Sequence, residues 1–175
     1  MVNMEMPVHN ISHSTVNGPG NRMVIWVQGC TKNCEGCFNP ETHGYSRNLC
    51  VDIDHLAHRI NSDGAIEGIT VSGGEPLDFT GELELLLTMV KPSFTRIIFS
   101  GYTVDEIVAN ADKMKVVRRA DMVVAGRYHK KLKHPYFGKK LINVTGRIDA
   151  CCFLPKTQIE YSLDNNNQVI KSGIF

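Results

Sequence analysis

The chain has 175 residues, 42% of them hydrophobic and 21% charged, with a formal net charge of +1. That is room for one domain and little more, and the balance excludes a disordered chain, a collagen and a coiled coil. The small net charge gives no global reason to bind nucleic acid or an acidic membrane, and the apolar runs are too short to span a bilayer.

The first ten residues lack a basic stretch followed by an apolar one. The sequence therefore predicts no secretory signal and a cytoplasmic setting, where thiols stay reduced. Residues 22–28 (RMVIWVQ) predict a strand. A cysteine-rich loop follows and closes on the turn signal Asn39-Pro40. Residues 52–61 predict a helix with Asp52 as N-cap and Ile53, Leu56, Ala57 and Ile60 on one face. Residues 68–72 predict a short buried strand running into Gly73-Gly74, and residues 78–90 a helix with Leu83, Leu86, Leu87 and Val90 aligned. A strand is expected over 94–100. A helix over 103–111 follows, opened by Thr103 with Glu106 at the capping-box position, and then a strand over 120–125.

Strands alternating with helices predict an α/β fold of parallel βαβ units. The nearly continuous apolar strands suggest helices on both faces. The chain is too short for a closed eight-stranded barrel, so a partial, open βα barrel is expected. Residues 158–162 and 168–171 flank an Asp- and Asn-rich turn and predict a C-terminal β-hairpin, placed to cover a sheet edge. No repeat or linker divides the chain. One domain over 1–175 is expected, with a core at about 15–130 and a C-terminal extension at 138–175.

Six cysteines stand at 30, 34, 37, 50, 151 and 152. Clustering of three in one loop favours metal binding over disulfides in a reducing compartment. Cys30, Cys34 and Cys37 have the spacing C-x3-C-x2-C and follow a strand, where ligands collect in parallel sheets. Three thiolates hold three corners of an iron–sulfur cubane and leave one iron open to a small molecule. The alternative is a zinc site completed by His43, although no second ligand pair accompanies it. Ser72-Gly73-Gly74-Glu75-Pro76 follows the next strand. Its glycines let backbone approach a ligand, and the Glu75 carboxylate accepts hydrogen bonds from an ammonium group. Taken alone, this motif is a turn.

Together these motifs resemble the radical S-adenosylmethionine (SAM) superfamily, and within it the small activating proteins of anaerobic (class III) ribonucleotide reductases. The resemblance rests on residues 17–22 (NGPGNR), Gln28-Gly29-Cys30 through Gly36-Cys37-Phe38-Asn39, residues 72–77 (SGGEPL), residues 100–103 (SGYT) and, more weakly, residues 120–128. It implies that Cys30, Cys34 and Cys37 ligate a [4Fe-4S] cluster whose fourth iron is chelated by SAM. Ser72, Gly73, Gly74 and Glu75 would frame the SAM amino group, and Ser100 the ribose or carboxylate. Gly36, Phe38 and Asn39 would approach the adenosyl portion. One electron would cleave SAM to methionine and a 5′-deoxyadenosyl radical. The implied enzyme is a radical SAM oxidoreductase that installs a glycyl radical on a partner such as anaerobic ribonucleotide reductase, with flavodoxin or ferredoxin as reductant. A radical SAM enzyme acting directly on a small molecule or peptide is the alternative. A non-catalytic iron–sulfur electron-transfer module is a second one, which the Gly-Gly-Glu-Pro loop argues against.

Lesser features carry expectations too. Cys151 and Cys152 suggest one side chain packed inward and one at the surface, and Cys50 a structural role. Arg127, Lys130, Lys131, Lys133, Lys139 and Lys140 form a basic stretch, read as a solvated loop or as a docking surface for an acidic partner. His55 and His58 read as surface or packing residues.

Overall fold

The computed structural model describes residues 4–45, 49–132 and 138–153 in full, and 158–163 and 169–174 as backbone. The order is β1 (Glu5–Ser14), β2 (Arg22–Val27), β3 (Cys50–Asp52), α1 (Ile53–Ser62), β4 (Gly68–Gly73), α2 (Thr80–Met89), β5 (Thr95–Ser100), α3 (Val104–Val108), α4 (Ala111–Val117), β6 (Met122–Ala125), β7 (Lys140–Asn143), β8 (Gln158–Leu163) and β9 (Val169–Ile174).

One seven-stranded sheet has the order β3-β1-β2-β4-β5-β6-β7 and does not close. Its centre is the four strands expected from their apolar runs: β2, β4, β5 and β6 are parallel neighbours. Three further strands flank them in antiparallel pairing, β1 against β2 and β3, and β7 against β6. None of these three has an apolar run. β1 buries Met6, Pro7 and Val8 and then turns polar, β3 is three residues long, and β7 is largely exposed. The expected C-terminal hairpin is present as β8 and β9, paired antiparallel in a sheet of their own. Among the described residues it pairs with neither edge of the large sheet.

The expectation of helices on both faces is corrected. Ile25, Val27, Ile69, Val71, Ile98 and Val123 pack in one cluster with buried residues of α1, α2, α3 and α4. The opposite face, with Ile97, Met122 and Val124, is covered instead by Ile148 and Phe153. The parallel strands advance in one direction across the sheet, and crossovers of constant hand then place every helix on the same side. Continuous apolar strands therefore do not require two helical layers.

Helix starts follow their chemistry. The Asp52 side chain accepts from His55 N, and Thr103 and Glu106 form a reciprocal capping box. The unanticipated α4 begins at Asn110, whose side chain accepts from the backbone N–H groups of Asp112 and Lys113.

At the amino ends of the strands lies Arg22, fully buried. Its guanidinium donates to Thr70 Oγ1, Thr95 Oγ1 and the carbonyls of Pro19, Ile69 and Thr95. Burial pulls its pKa down to about 10, against the attraction of Asp121 and Glu67. This one side chain fastens the start of β2 to β4 and β5, and its fixed fork suits several carbonyls at once. Arg22→Leu leaves those acceptors buried without donors and is expected to cost about 3–5 kcal/mol. Urea denaturation monitored by circular dichroism measures this, and a loss below about 1 kcal/mol would show the network to be dispensable.

Candidate functional site

The strand register brings the carboxyl ends of β2, β4, β5 and β6 to one edge: Val27 lies opposite Gly73, and Ser100 opposite Ala125. The motif residues leave the sheet there. Gly29, with φ +117, turns the chain out of β2. The loop's return limb is fixed beneath it: Gly29 N donates to Thr42 O, Cys30 N to His43 O, and the Gln28 amide to the carbonyls of Glu41 and Gly44. Thr42 in turn donates to Asn39 O through both its backbone N–H and its hydroxyl.

Cys30, Cys34 and Cys37 are half-buried free thiols on this loop. Cys30 Sγ accepts from Lys32 N at 3.4 Å, and Cys37 N donates to Cys34 O at 3.2 Å. Burial pushes the Cys30 and Cys37 thiols up. For Cys30 the neighbouring Glu75 adds to this, and for Cys37 the neighbouring Cys34 does. Among the described residues, no three His, Cys, Asp or Glu side chains already converge on one point as an ion-holding set, and this includes His43. The donor chemistry nonetheless fits an iron–sulfur cluster: three unpaired thiols share one loop, and one accepts the kind of backbone N–H bond that stabilises a thiolate.

The β4 loop is built against the cysteine loop by backbone. Gly74 N donates to Val27 O, and Glu75 N to Gly29 O. A Cβ on Gly74 would lie 2.1 Å from Gly29 O, and one on Gly73, where φ is +98, would lie 2.6 Å from Val27 N. In the structure the space on their Cβ side holds the backbone leaving β2.

Glu75 is fully buried. Oε1 accepts from Leu77 N and from Ser100 Oγ at 2.8 Å, and Oε2 from Gly101 N at 2.6 Å. Burial raises its carboxyl pKa, while those three donors pull the other way. Ser100, also buried, donates to Glu75 and accepts from Tyr102 N. Ser72 lies opposite Trp26, half-buried. Glu75 and Ser100 thus tie the ends of β4 and β5 together, and Gly126 N closes the row on Ser100 O.

Sequence reasoning missed a centre at Asp78. Its Oδ2 accepts from Thr31 N, Thr31 Oγ1 and Tyr45 OH, and its Oδ1 from Tyr102 OH at 2.7 Å. Burial opposes its ionisation, yet the donors from Tyr102, Tyr45 and Thr31 prevail and hold its carboxyl below the ordinary range. Lys32 Nζ lies 3.3 Å from the centre of the Tyr102 ring. Two consecutive cysteine-loop residues are thereby anchored to the β4 and β5 exits. The signal is spread over Thr31, Tyr45, Asp78 and Tyr102, far apart in sequence, and forms no motif.

The basic stretch is not simply a solvated loop. Arg127 pairs with Glu106 at 2.6 Å and donates to Gly101 O. The Tyr128 ring packs on Phe38 with centroids 5.5 Å apart, and the Lys130 stem lies over Gly36. Lys131 and Lys140 are exposed, and Lys133 lies outside the described residues. Cys151 and Cys152 are both exposed, which corrects the expectation that one packs inward, while Cys50 is half-buried in β3. Both adjacent thiols follow Asp149, which caps their turn by accepting from Cys151 N on its side chain and from Cys152 N on its carbonyl.

The chain is similar in sequence to known proteins. Residues 16–141 match the family described as a 4Fe-4S single cluster domain. The chain is 32% identical over 126 residues to the anaerobic ribonucleoside-triphosphate reductase-activating protein of Enterobacteria phage T4, covering 67% of this chain and 77% of that protein. It is 32% identical over 131 residues to the protein of that name from Escherichia coli (strain K12), and 31% over 136 residues to that from Salmonella typhi. Each of these covers 69% of this chain and 82% of the relative.

Two outcomes test the loop lock. Gly74→Ala drives a methyl into Gly29 O and is expected to destabilise the protein by about 1–3 kcal/mol before any ligand is added. An unchanged thermal midpoint would show that the loops separate freely. Asp78 has a depressed carboxyl, so its stabilisation is complete above the ordinary value of 3.8 and is lost as pH falls through the lower folded value. The stability difference between wild type and Asp78→Asn should therefore be constant near neutrality and shrink only in acid. A difference that instead grew on acidification would reverse the sign of the argument.

Proposed function

The chain belongs to the 4Fe-4S single cluster family of radical SAM activating proteins, and from that membership we propose that it installs a glycyl radical on a partner enzyme, an anaerobic ribonucleotide reductase. The observation that carries the reading is the loop of three unpaired thiols at the carboxyl end of β2, joined by backbone to the Gly-Gly-Glu loop of β4. A [4Fe-4S] cluster and SAM are the cofactors, and when bound they supply a 5′-deoxyadenosyl radical from one electron.

The chain's own residues bind and orient. Cys30, Cys34 and Cys37 hold three irons. Ser72, Gly73 and Gly74 would frame the amino-acid end of SAM, and Glu75, buried on Ser100 and Gly101, fixes their loop to the end of β5. Gly36, Phe38 and Asn39 line the adenosyl side, with Phe38 braced by Tyr128. Residues 15–130 form the catalytic core and 138–175 an extension. Phe38 and Tyr45 leave about half their surface exposed at this edge, 51% and 55%, so a strand of another protein can reach it. Lys131 and Lys140, both exposed, offer positive charge to an acidic partner there. The reductant is a flavodoxin or ferredoxin and the setting the cytoplasm, in keeping with a clustering of cysteines that favours metal binding over disulfides.

The test is anaerobic incubation of reconstituted protein with reductant, SAM and an anaerobic ribonucleotide reductase, followed by electron paramagnetic resonance. A glycyl-radical signal is expected with wild type and none with Cys34→Ala. Full SAM cleavage stimulated by a small molecule, with no radical in any partner, would favour the direct-modification alternative. Lys131→Glu combined with Lys140→Glu is expected to slow radical formation several-fold at low salt while leaving partner-free release of 5′-deoxyadenosine unchanged. Equal rates for wild type and variant at low and high salt would remove the docking role.

A further inference from the structure

Three lysines surround the cysteine loop, and the fold gives them different work. Lys32, within the loop, turns its ammonium onto the Tyr102 ring. Lys130 lays its stem over Gly36. Lys139 remains. Lys140 is opposite Ala125 in the antiparallel β6–β7 pair, so Lys139 stands just beyond the carboxyl end of β6, at the same edge as the thiols. Its Nζ donates to Gly126 O at 2.6 Å, and Gly126 N donates to Ser100 O, the residue that also holds Glu75. The side chain is partly buried, and its electrostatic neighbours are Glu75, Cys34 and Cys37, with Arg127 as the one cation among them.

We propose that Lys139 is the counter-charge of the cluster site: its ammonium, pinned by the Gly126 carbonyl, would offset the negative charge that a cluster brings there with its Cys34 and Cys37 thiolates, and so make acceptance of an electron easier. The inference rests on the cluster reading above. In the step concerned, the reductant loses one electron, no bond is made or broken, and the site gains one negative charge. A fixed cation beside the site is stabilised more by the reduced state than by the oxidised one, so the midpoint potential rises. Burial pulls Lys139 below the ordinary lysine value and Arg127 adds to this, while Glu75, Cys34 and Cys37 pull the other way. Lys139 is a positioning residue for charge. It is assigned neither a proton transfer nor a substrate contact.

The experiment is a redox titration of the anaerobically reconstituted protein without SAM, followed by its visible absorbance, for wild type, Lys139→Met, Lys139→Gln, Lys139→Arg and Lys140→Met. Iron and sulfide content are measured on the same samples. With iron content equal, Lys139→Met and Lys139→Gln are expected to show about tenfold less reduced form at a fixed potential, a midpoint about 59 mV more negative. Lys139→Arg should restore most of the difference, and Lys140→Met should match wild type. Iron-replete Lys139→Met with the wild-type midpoint would overturn the proposal. So would an equal shift in Lys140→Met, which would make the effect one of general surface charge. Failure of both neutral variants to take up iron while folded like wild type would also overturn it, since the lysine would then serve loading. A wild-type protein that takes up no cluster would overturn the cluster reading itself, and this inference with it.

Discussion

Two loops meet at the carboxyl edge of the sheet with no space between them for a side chain. A Cβ on Gly74 would lie 2.1 Å from the Gly29 carbonyl oxygen, and the hydrogen bonds from Gly74 N to Val27 O and from Glu75 N to Gly29 O run through the same contact. The direction of the chain as it enters Cys30 is set there. A glycine at position 74 leaves the contact open to backbone, and any larger residue would push the cysteine loop off its support. The remaining anchors, Asp78 on Thr31 and Lys32 on Tyr102, refine a path that this contact has already chosen.

The second constraint is electrostatic. A fully buried carboxylate at Glu75 is costly unless donors surround it, and Leu77 N, Ser100 Oγ and Gly101 N do so. That saturation joins the exits of β4 and β5 next to a loop of three thiols. Cations then gather around the edge: Arg127 on Glu106 and Gly101, Lys32 on Tyr102, and Lys139 on Gly126. The stretch from Arg127 to Lys140 thus packs on the cysteine loop through Tyr128 and Lys130 while keeping Lys131 and Lys140 exposed.

Much of this was legible in the sequence because the central strands carry their own signal. RMVIWV, GITVSG and MVVA are apolar runs that only a covered strand uses, and each ends in a turn that bears a motif. The caps at Asp52 and Thr103 were legible for the same local reason. β1, β3 and β7 were not, because their pairing comes from neighbours already in place and their residues show no matching run. The helical layer was misassigned to both faces since an apolar strand records that it is covered, and not by what. At the site, residue identity announced the thiols and the Gly-Gly-Glu loop. It did not announce that the glycines face the backbone of Val27 and Gly29, or that Asp78 collects donors from two separate loops. Such facts belong to contacts between distant segments.

The proposed function requires a cluster held by three thiols of one loop, with one iron left open to SAM. Mössbauer spectroscopy of protein reconstituted with iron-57 addresses that directly, recorded before and after SAM is added. The account predicts that a single iron site changes its isomer shift on addition of SAM while the other three keep theirs. A spectrum that SAM leaves unchanged, or a cluster in which all sites are alike and cysteine-ligated, would contradict it.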